Sequence, residues 1–474
     1  MKFIRTQYLI LPLLILWISS LHAVNYGETF EVGTTFWHAQ QNSTVGKMIA
    51  RDERGGTHFV WTKTYDADQD KREIYFNFCD DGEGDIADQL GDNASRVDEA
   101  ERAGYGSIDL LRDEDEILAT CFYHFFGRAV MALDFSRGWG DFMEILFDPP
   151  DQRSSPLVVK GSIDINRHAH LAASTHTMQG GPISFGLAMW HAEPNDGLDD
   201  WSVSHPVVIE NTIGMTHRVQ ASRSSARVSL AWHHNLVGVP GPEEWQNTVP
   251  HSMNNDLYLY ESPDGDEWEF DDAVNVTRTI PADHELDGVY AYGDTLRPFN
   301  DVDLIYVDDV VHAVFTTRGF IPDPTGAVSP PVIDWTTKES FIWHWDSDSD
   351  TLTLVADGWY ENSGVMSSLN SNVDRPSLGV DEDGTLYCIF RQVTGDDEDE
   401  NGACNGEIML SVSTDDGITW SEAVNLTGTV FDEDDEENLV DENFPSLAEL
   451  VDDYLHIYYL LVPAEGGGLD EDLV

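Results

Sequence analysis

The sequence predicts an all-β protein, a β-propeller of four-stranded antiparallel blades, with seven blades preferred and six allowed. Three observations lead there. Helical periodicity is almost absent and short β-type runs dominate. Paired strand–turn–strand segments recur at spacings of roughly 50 to 80 residues, a period that belongs to stacked repeat units. Within several units an acidic turn is followed by a tryptophan. A single four-stranded sheet cannot bury both faces, so sister sheets must stack around an axis.

The units can be taken in order. The first is "KMIARDERGGTHFVWTK" (47–63) with "REIYFNF" (72–78). The second is "GSIDLLRDEDEILATCFYH" (106–124) with "RAVMALDFSRGWGDF" (128–142), and the third is "GSIDINRHAHLAASTH" (161–176) with "ISFGLAMWHAEPNDGLDDW" (183–201). "HRVQASRSSARVSLAWHH" (217–234) with "NDLYLYESPDGDEW" (255–268) makes the fourth. A looser fifth is "RPFNDVDLIYVDDVVHAVFTTR" (297–318) with "ESFIWHWDSDSDTLTLV" (339–355), and the sixth is "PSLGVDEDGTLYCIFRQ" (376–392) with "GEIMLSVSTDDGITW" (406–420). "PSLAELVDDYLHIYYLL" (445–461) supplies only a first half. The stretch "GTTFWHAQ" (33–40) is the expected partner that would complete it and close a seven-blade ring.

In each unit the acidic turn falls between the third and fourth strands. In "STDDGITW" (413–420), Asp415 can fold its carboxylate onto turn N–H groups, and Gly417 supplies a positive φ without steric cost. Thr419 and Trp420 suit the start of a strand. Trp139, Trp201, Trp268 and Trp420 follow their turns at similar offsets and read as wedges between blades.

The chain has 474 residues, 41% of them hydrophobic, which suffices for a large core. Its 87 acidic residues against 25 basic ones give a net charge of −62. That balance excludes nucleic acid and anionic membrane surfaces as partners, since both need clustered Lys/Arg. It favours a soluble monomer. Residues 1–23 read as a secretory signal peptide, with Lys2 and Arg5 before an apolar Tyr8–Ile18 and a small Ala23 at the expected cleavage point. Residues 24–474 then form one propeller domain, secreted or held at the cell surface, and no later apolar run is long enough for a membrane span. The exported setting permits disulfides. Cys388 and Cys404 are one pairing that spacing allows, and four half-buried thiols, counting Cys79 and Cys121, are the other reading.

The octet at 413–420 resembles the Asp-box, or BNR repeat, at every defined position: Ser413, Asp415, Gly417, Thr419 and Trp420. "SPDGDEW" is similar to a shortened box, with Ser262, Asp264, Gly265 and Trp268. The resemblance is to sialidase-like propellers of the secreted bacterial type and implies their fold over roughly residues 33–461, with the boxes at the blade periphery as structural elements. Such sialidases use an arginine triad, a Tyr–Glu nucleophile pair and an Asp acid, and carry a Phe-Arg-Ile-Pro motif early in the chain. That motif is absent here; Arg297-Pro298 and Arg375-Pro376 come late and lack its flanks. No catalytic residue transfers from the resemblance.

Propeller geometry points to the site independently. First strands begin on the face where second strands end, so both places ring one mouth of the central channel. The second-strand ends carry Lys63, His124, His176, His233, Arg318 and Arg391, and the first-strand starts carry His217 or Arg218, Arg297 and Arg375. In so acidic a chain this recurrence predicts an electropositive mouth for carbohydrate or another anionic ligand. Histidines there could serve as general acid or base. Glycan cleavage, by a sialidase-like hydrolase or a polysaccharide lyase, is the alternative, and an adhesive scaffold that engages protein is a further one. The opposing reading is that each of these residues simply pairs with local acids or loop carbonyls.

No cofactor and no metal site is assigned. "RHAH" (167–170) and "WHH" (232–234) read as structural or solvated histidines. "DSDSD" (346–350) alternates like a calcium loop, but Thr351 occupies the position where an EF-hand needs glycine, so a plain turn is expected. "DDEDEN" (396–401) and "DEDDEE" (432–437) read as solvated loop acids, with weak calcium binding at most.

Overall fold

The structure, a computed structural model, describes residues 27–463 except 42, 67–70, 100–101, 114–115, 126, 152–153, 178–184, 196, 211–214, 238–249, 280–295, 322–334, 361, 363–369, 399–403 and 430–439. Residues 1–23, the expected signal peptide, lie outside the described residues, and the propeller occupies the compact unit Glu31–Val474. Among the described residues no helix is long and apolar enough to cross a membrane.

Six antiparallel sheets of four or more strands follow one another along the chain. The first blade is β1 (Ile49–Arg51), β2 (Gly56–Lys63), β3 (Glu73–Asp80) and β4 (Ser95–Arg96). The second is β5 (Ala103–Asp113), β6 (Glu116–Phe125), β7 (Arg128–Asp134) and β8 (Phe142–Phe147). The third is β9 (Ser154–Ile163), β10 (Ala169–Thr177), β11 (Phe185–Pro194), β12 (Trp201–Val203) and β13 (Val207–Glu210), where β12 and β13 both pair with β11. The fourth is β14 (His217–Ala221), β15 (Val228–Val237), β16 (Pro250–Ser262) and β17 (Val274–Asn275). The fifth is β18 (Leu296–Val307), β19 (Val310–Ile321), β20 (Trp335–Asp346) and β21 (Leu352–Gly358), and the sixth is β22 (Val373–Val380), β23 (Leu386–Glu398), β24 (Cys404–Ser413) and β25 (Val424–Asn425). A two-stranded half blade, β26 (Val440–Leu447) with β27 (Ile457–Pro463), comes last. The innermost strands β1, β5, β9, β14, β18, β22 and β26 touch in that order, and β26 touches β1, which closes the ring.

The expected completing strand at 33–40 does not form. Phe36 N instead donates to Thr64 O (3.2 Å) and Thr35 Oγ1 to Thr62 O (3.0 Å), which ties the stretch to the end of β2. The half blade therefore stays two-stranded.

The apolar cores lie between blades. Phe122, Met131 and Phe147 of the second blade pack with Val159, Leu171 and Trp190 of the third, and Leu230 and Trp232 of the fourth pack with Leu187 and Met189 of the third. Ile305 and Val314 join Leu378 and Phe390 across the fifth and sixth. All four cysteines are buried thiols.

The turn at 413–420 forms as its residues dictate. Ser413 Oγ donates to Asp415 Oδ1 (2.9 Å) and accepts from Gly417 N (2.9 Å), while Thr419 N and Oγ1 donate to the Asp415 carboxylate (2.9 and 2.6 Å). Trp420 Nε1 closes the turn on Gly417 O (3.1 Å). The shortened box repeats this, with Gly265 N on Ser262 Oγ (3.0 Å), Ser262 Oγ on Asp264 Oδ1 (3.2 Å) and Trp268 Nε1 on Gly265 O (2.9 Å). Gly417 and Gly265 have φ +80° and +77°, and a Cβ there would come within 2.0 Å of His344 and 2.6 Å of His170 on the preceding blade. Glycine is thus required for both backbone and blade contact.

Trp201, Trp268 and Trp420 pack against cores shared by two blades. Trp139 departs from the expectation and is 68% exposed. Its neighbour Arg137 takes the inter-blade position, with Nε on Asp52 (2.6 Å), a bond to Asp80 and its guanidinium 5.1 Å from the Phe78 ring. "DSDSD" is a turn between β20 and β21, its first carboxylate, Asp346, accepting from Asp348 N (3.0 Å) and Ser349 N (2.6 Å). Residues 432–437, and the side chains of 396–401, lie outside the described residues.

A hydrogen-bonded axle joins every unit. Lys47, just before β1, reaches Asp303 of the fifth blade (2.7 Å) and Ser377 of the sixth (3.2 Å). Asp303 also accepts from Arg218 of the fourth (3.1 Å), Arg218 donates to Gln220 (2.7 Å), and Gln220 to Glu449 of the half blade (3.1 Å). Glu449 accepts from Arg223 (2.6 Å), which pairs with Asp109 of the second blade, and Asp109 accepts from Ser162 of the third (2.8 Å). Lys47 and Arg218 are both buried beside Asp303. Asp303→Ala should therefore cost about 3–5 kcal/mol, because it strands two buried cations. Denaturant unfolding measures this, and a loss under about 1 kcal/mol would mean that the axle is not a structural tie.

Candidate functional site

Where the inner strands reach the predicted mouth, their backbone is strained. Tyr105 in β5, Val158 in β9, Asn300 in β18, Arg375 in β22 and Phe444 in β26 all have positive φ, from +49° to +60°. Each sits where strand register slips, at Gly104/Ser107, Pro298/Val302, Asp374/Ser377 and Asn443/Ser446 among others. A bulge of this kind re-aims the side chains beside it. For a non-glycine residue the conformation costs of order 1–3 kcal/mol, so five copies mark a place held by its surroundings.

The sequence-predicted residues divide into separate groups. Arg318, Arg375 and Arg391 converge on Asp374. Arg375 Nη1 lies 3.1 Å from Asp374 Oδ1 and Arg391 Nη1 lies 3.8 Å from Oδ2. Arg391 also bonds Asp441 (3.0 Å) and Glu442 O (3.2 Å), and it is buried. The Arg375 guanidinium lies 4.6 Å from the Phe444 ring, and that of Arg318 lies 4.2 Å from Phe299. Burial lowers the Arg318 pKa to about 10 against the opposing charges of Asp374 and Glu339. Arg297 pairs with Asp256 (2.8 Å). Lys63 stands over the Tyr75 ring at 4.5 Å. His233 is buried, and burial together with nearby His217 pushes its pKa down to about 3. His217 is held by Met215 O (2.9 Å) and Ala172 O (3.2 Å), and Arg218 belongs to the axle. His176 lies on β10, and its side chain is outside the described residues.

The expected ring of like charges is therefore not what these side chains form. Asp256, Asp374 and Asp441 pair with Arg297, Arg375 and Arg391. His124 leads to a second corner. Its ring lies 5.4 Å from that of Tyr105. Arg72, between β2 and β3, places its guanidinium 4.6 Å from the Trp37 ring and 5.7 Å from Tyr105. Trp37, Tyr105 and His124 are buried, and Arg72 is half-buried. Among the described residues Arg72 meets no carboxylate, and its Nε has no hydrogen-bond partner. Desolvation lowers its pKa, with Tyr105 opposing and Arg102 adding to the fall. Burial raises the Tyr105 pKa, so its phenol stays protonated at neutral pH.

Sequence reasoning found His124 and missed Arg72, Tyr105 and Trp37. Arg72 opens the segment quoted as "REIYFNF", but nothing local distinguishes it from a solvated strand start. The bulge that aims Tyr105 has only Gly104 and Gly106 as a trace.

No family model matches the chain, and no curated protein matches it. Among solved structures, a polysaccharide lyase, an ulvan lyase of family PL25, aligns with TM-score 0.44 and 11% identity over 90% of this chain and 94% of its own. A Trypanosoma rangeli sialidase gives TM-score 0.39 and 8% identity over 88% of this chain and 52% of its own. A Fusarium graminearum α-L-arabinofuranosidase gives TM-score 0.35 and 10% identity over 75% and 92%. Likeness at this level carries no substrate or activity to this chain.

Asp301, close to the arginine group, provides a pH test. Burial, augmented by the Asp374 charge and opposed by Arg375, pushes its pKa up to about 7. The folded state then keeps a proton that the unfolded chain, with a carboxyl near about 3.9, releases. This group's contribution is fully present below about pH 4 and is lost as pH rises through about 7. Asp301→Asn should flatten that slope and gain stability over the parent at about pH 8 more than at about pH 5. Paired urea midpoints at the two pH values check it, and equal shifts would overturn the assignment.

Proposed function

We propose that this chain is an exported Asp-box propeller whose mouth takes an acidic, carboxylate-bearing glycan at the Arg72 corner. The observation that carries this is the state of Arg72. In a chain with 87 acidic residues, it lies half-buried against Trp37 and Tyr105 and meets no carboxylate among the described residues. A guanidinium so placed offers planar, bidentate recognition to a carboxylate supplied by a ligand. Trp37 and Tyr105 offer ring faces to a sugar. The leader-like residues 1–23 support export, and the two box turns support the Asp-box assignment.

The same corner suits cleavage of a uronate polymer by β-elimination, and the adjacency of His124 and Tyr105 favours this over binding alone. Arg72 pairs the substrate carboxylate, which acidifies the neighbouring C5–H. His124 takes the C5 proton, the C5–H electrons form the C4=C5 double bond, and the C4–O4 bond breaks. Tyr105, kept protonated by burial, donates to the departing O4.

The test uses uronate-containing and neutral polysaccharides side by side. Arg72→Ala should weaken uronate binding by about 10–100-fold, the range for a charged hydrogen bond, and leave neutral polymers unbound as before. Equal binding by parent and variant would overturn the site. Tyr105→Phe should abolish the ultraviolet-absorbing unsaturated product while binding persists. If the parent forms no such product on any uronate polymer, elimination is excluded and binding remains.

A further inference from the structure

Away from the mouth, where the third blade meets the fourth, three histidines cluster with two carboxylates. Asp164 to His168 form the turn between β9 and β10, with Arg167 N on Asp164 O (3.0 Å) and Asp164 N on His168 O (3.0 Å). His170 follows in β10, His191 lies opposite it in β11, and Asp266 projects from the shortened box turn of the fourth blade. The His191 ring stacks on His170 at 5.0 Å and lies 5.0 Å from His168. His191 Nδ1 is 3.2 Å from Asp266 Oδ1. One nitrogen from His168, one from His191 and one Asp266 oxygen all lie within 4.8 Å of one another.

The hydrogen bonding of this cluster is incomplete. His168 Nδ1, His170 Nδ1 and His191 Nε2 are buried and have no hydrogen-bond partner. The matching junction of the fifth and sixth blades differs. There His312 Nδ1 meets His344 Nε2 at 2.9 Å, and His344 Nδ1 meets Thr353 Oγ1 at 3.1 Å. An unpartnered buried nitrogen is costly, because it has given up its bonds to water without replacing them. A metal bound here would engage one ring nitrogen each of His168 and His191 together with the Asp266 carboxylate.

We propose that His168, His191 and Asp266 form a transition-metal site of the zinc class that clasps the third blade to the fourth. Two imidazoles and a carboxylate suit zinc, whereas calcium and magnesium prefer all-oxygen sets. Zinc holds its ligands at about 2.0–2.2 Å, so the three atoms must draw together. The Asp266 side chain, 55% exposed on its turn, has freedom to do so, while His168 and His191 are 23% and 18% exposed and reachable from solvent. Asp164 supplies the outer support, with Oδ2 3.2 Å from His170 Nε2 and 3.7 Å from His168 Nδ1. The fourth zinc position is left to water.

The experiment is zinc titration of the chelator-stripped full chain by calorimetry, with thermal melting alongside and magnesium and calcium as controls. One zinc should bind per chain, the melting temperature should rise saturably, and neither control should act. Asp266→Asn and His191→Ala should each weaken zinc binding by at least about tenfold and abolish the thermal shift. Should His191→Ala fail to fold, Asp266→Asn, altered only at an exposed turn, decides alone. Absence of saturable zinc binding by the parent, or zinc affinity unchanged in Asp266→Asn, overturns the site.

Discussion

The ring depends on a balanced set of charges at its centre. Lys47, Arg218 and Arg223 face Asp303, Asp109 and Glu449, and the chain of contacts runs through all six blades and the half blade. Removing such groups from water is costly, and their mutual attraction offsets that cost only when geometry and hydrogen bonding are complete. That requirement is directional, which apolar packing is not. Interchangeable sheets could stack in many rotations, whereas Lys47 can satisfy Asp303, Ser377 and the Leu378 carbonyl only when the first blade lies across from the fifth and sixth. The axle thereby fixes how the units are placed, and the apolar seams between blades supply most of the adhesion.

The same logic explains why so acidic a chain shows so little free positive charge. Its 25 bases are outnumbered more than three to one. Most described arginines therefore find a carboxylate on a neighbouring strand or turn. Arg137 fills the inter-blade position that a tryptophan takes elsewhere, and Arg391 is walled in so closely that a Cβ on Gly406 would come within 2.1 Å of it. Against this background Arg72, stacked on two aromatic rings and meeting no acid among the described residues, stands apart. So do the unpartnered ring nitrogens at the junction of the third and fourth blades. In both places the protein leaves an interaction incomplete that it completes elsewhere.

Backbone strain lies close to the same rim. Tyr105, Asn300, Arg375 and Phe444 occupy one equivalent point on their strands, in a conformation that none of them prefers. Kinking each inner strand there turns side chains that would otherwise lie along the channel wall. The Tyr105 ring meets His124, and the Phe444 ring meets Arg375. The cost is spread over four blades and the half blade and is held in place by the ladders on either side.

Much of the architecture was legible in the sequence because strand pairing within a blade is local. The repeated strand–turn–strand runs, the acidic turn between third and fourth strands, and both box turns follow from residues a few positions apart, where period, glycine and carboxylate each have one favourable use. The fate of the basic strand ends was legible only as a shared location. Whether Arg297 meets a ligand or Asp256, or Trp139 a core or water, depends on partners tens to hundreds of residues away. Arg72 with Trp37, Lys47 with Asp303, and His191 with Asp266 carry no local signal at all, because tertiary packing alone makes them neighbours. Sequence determined the sheets and their turns through short-range chemistry; only tertiary structure decided which charges are spent inside the protein and which are left for something else.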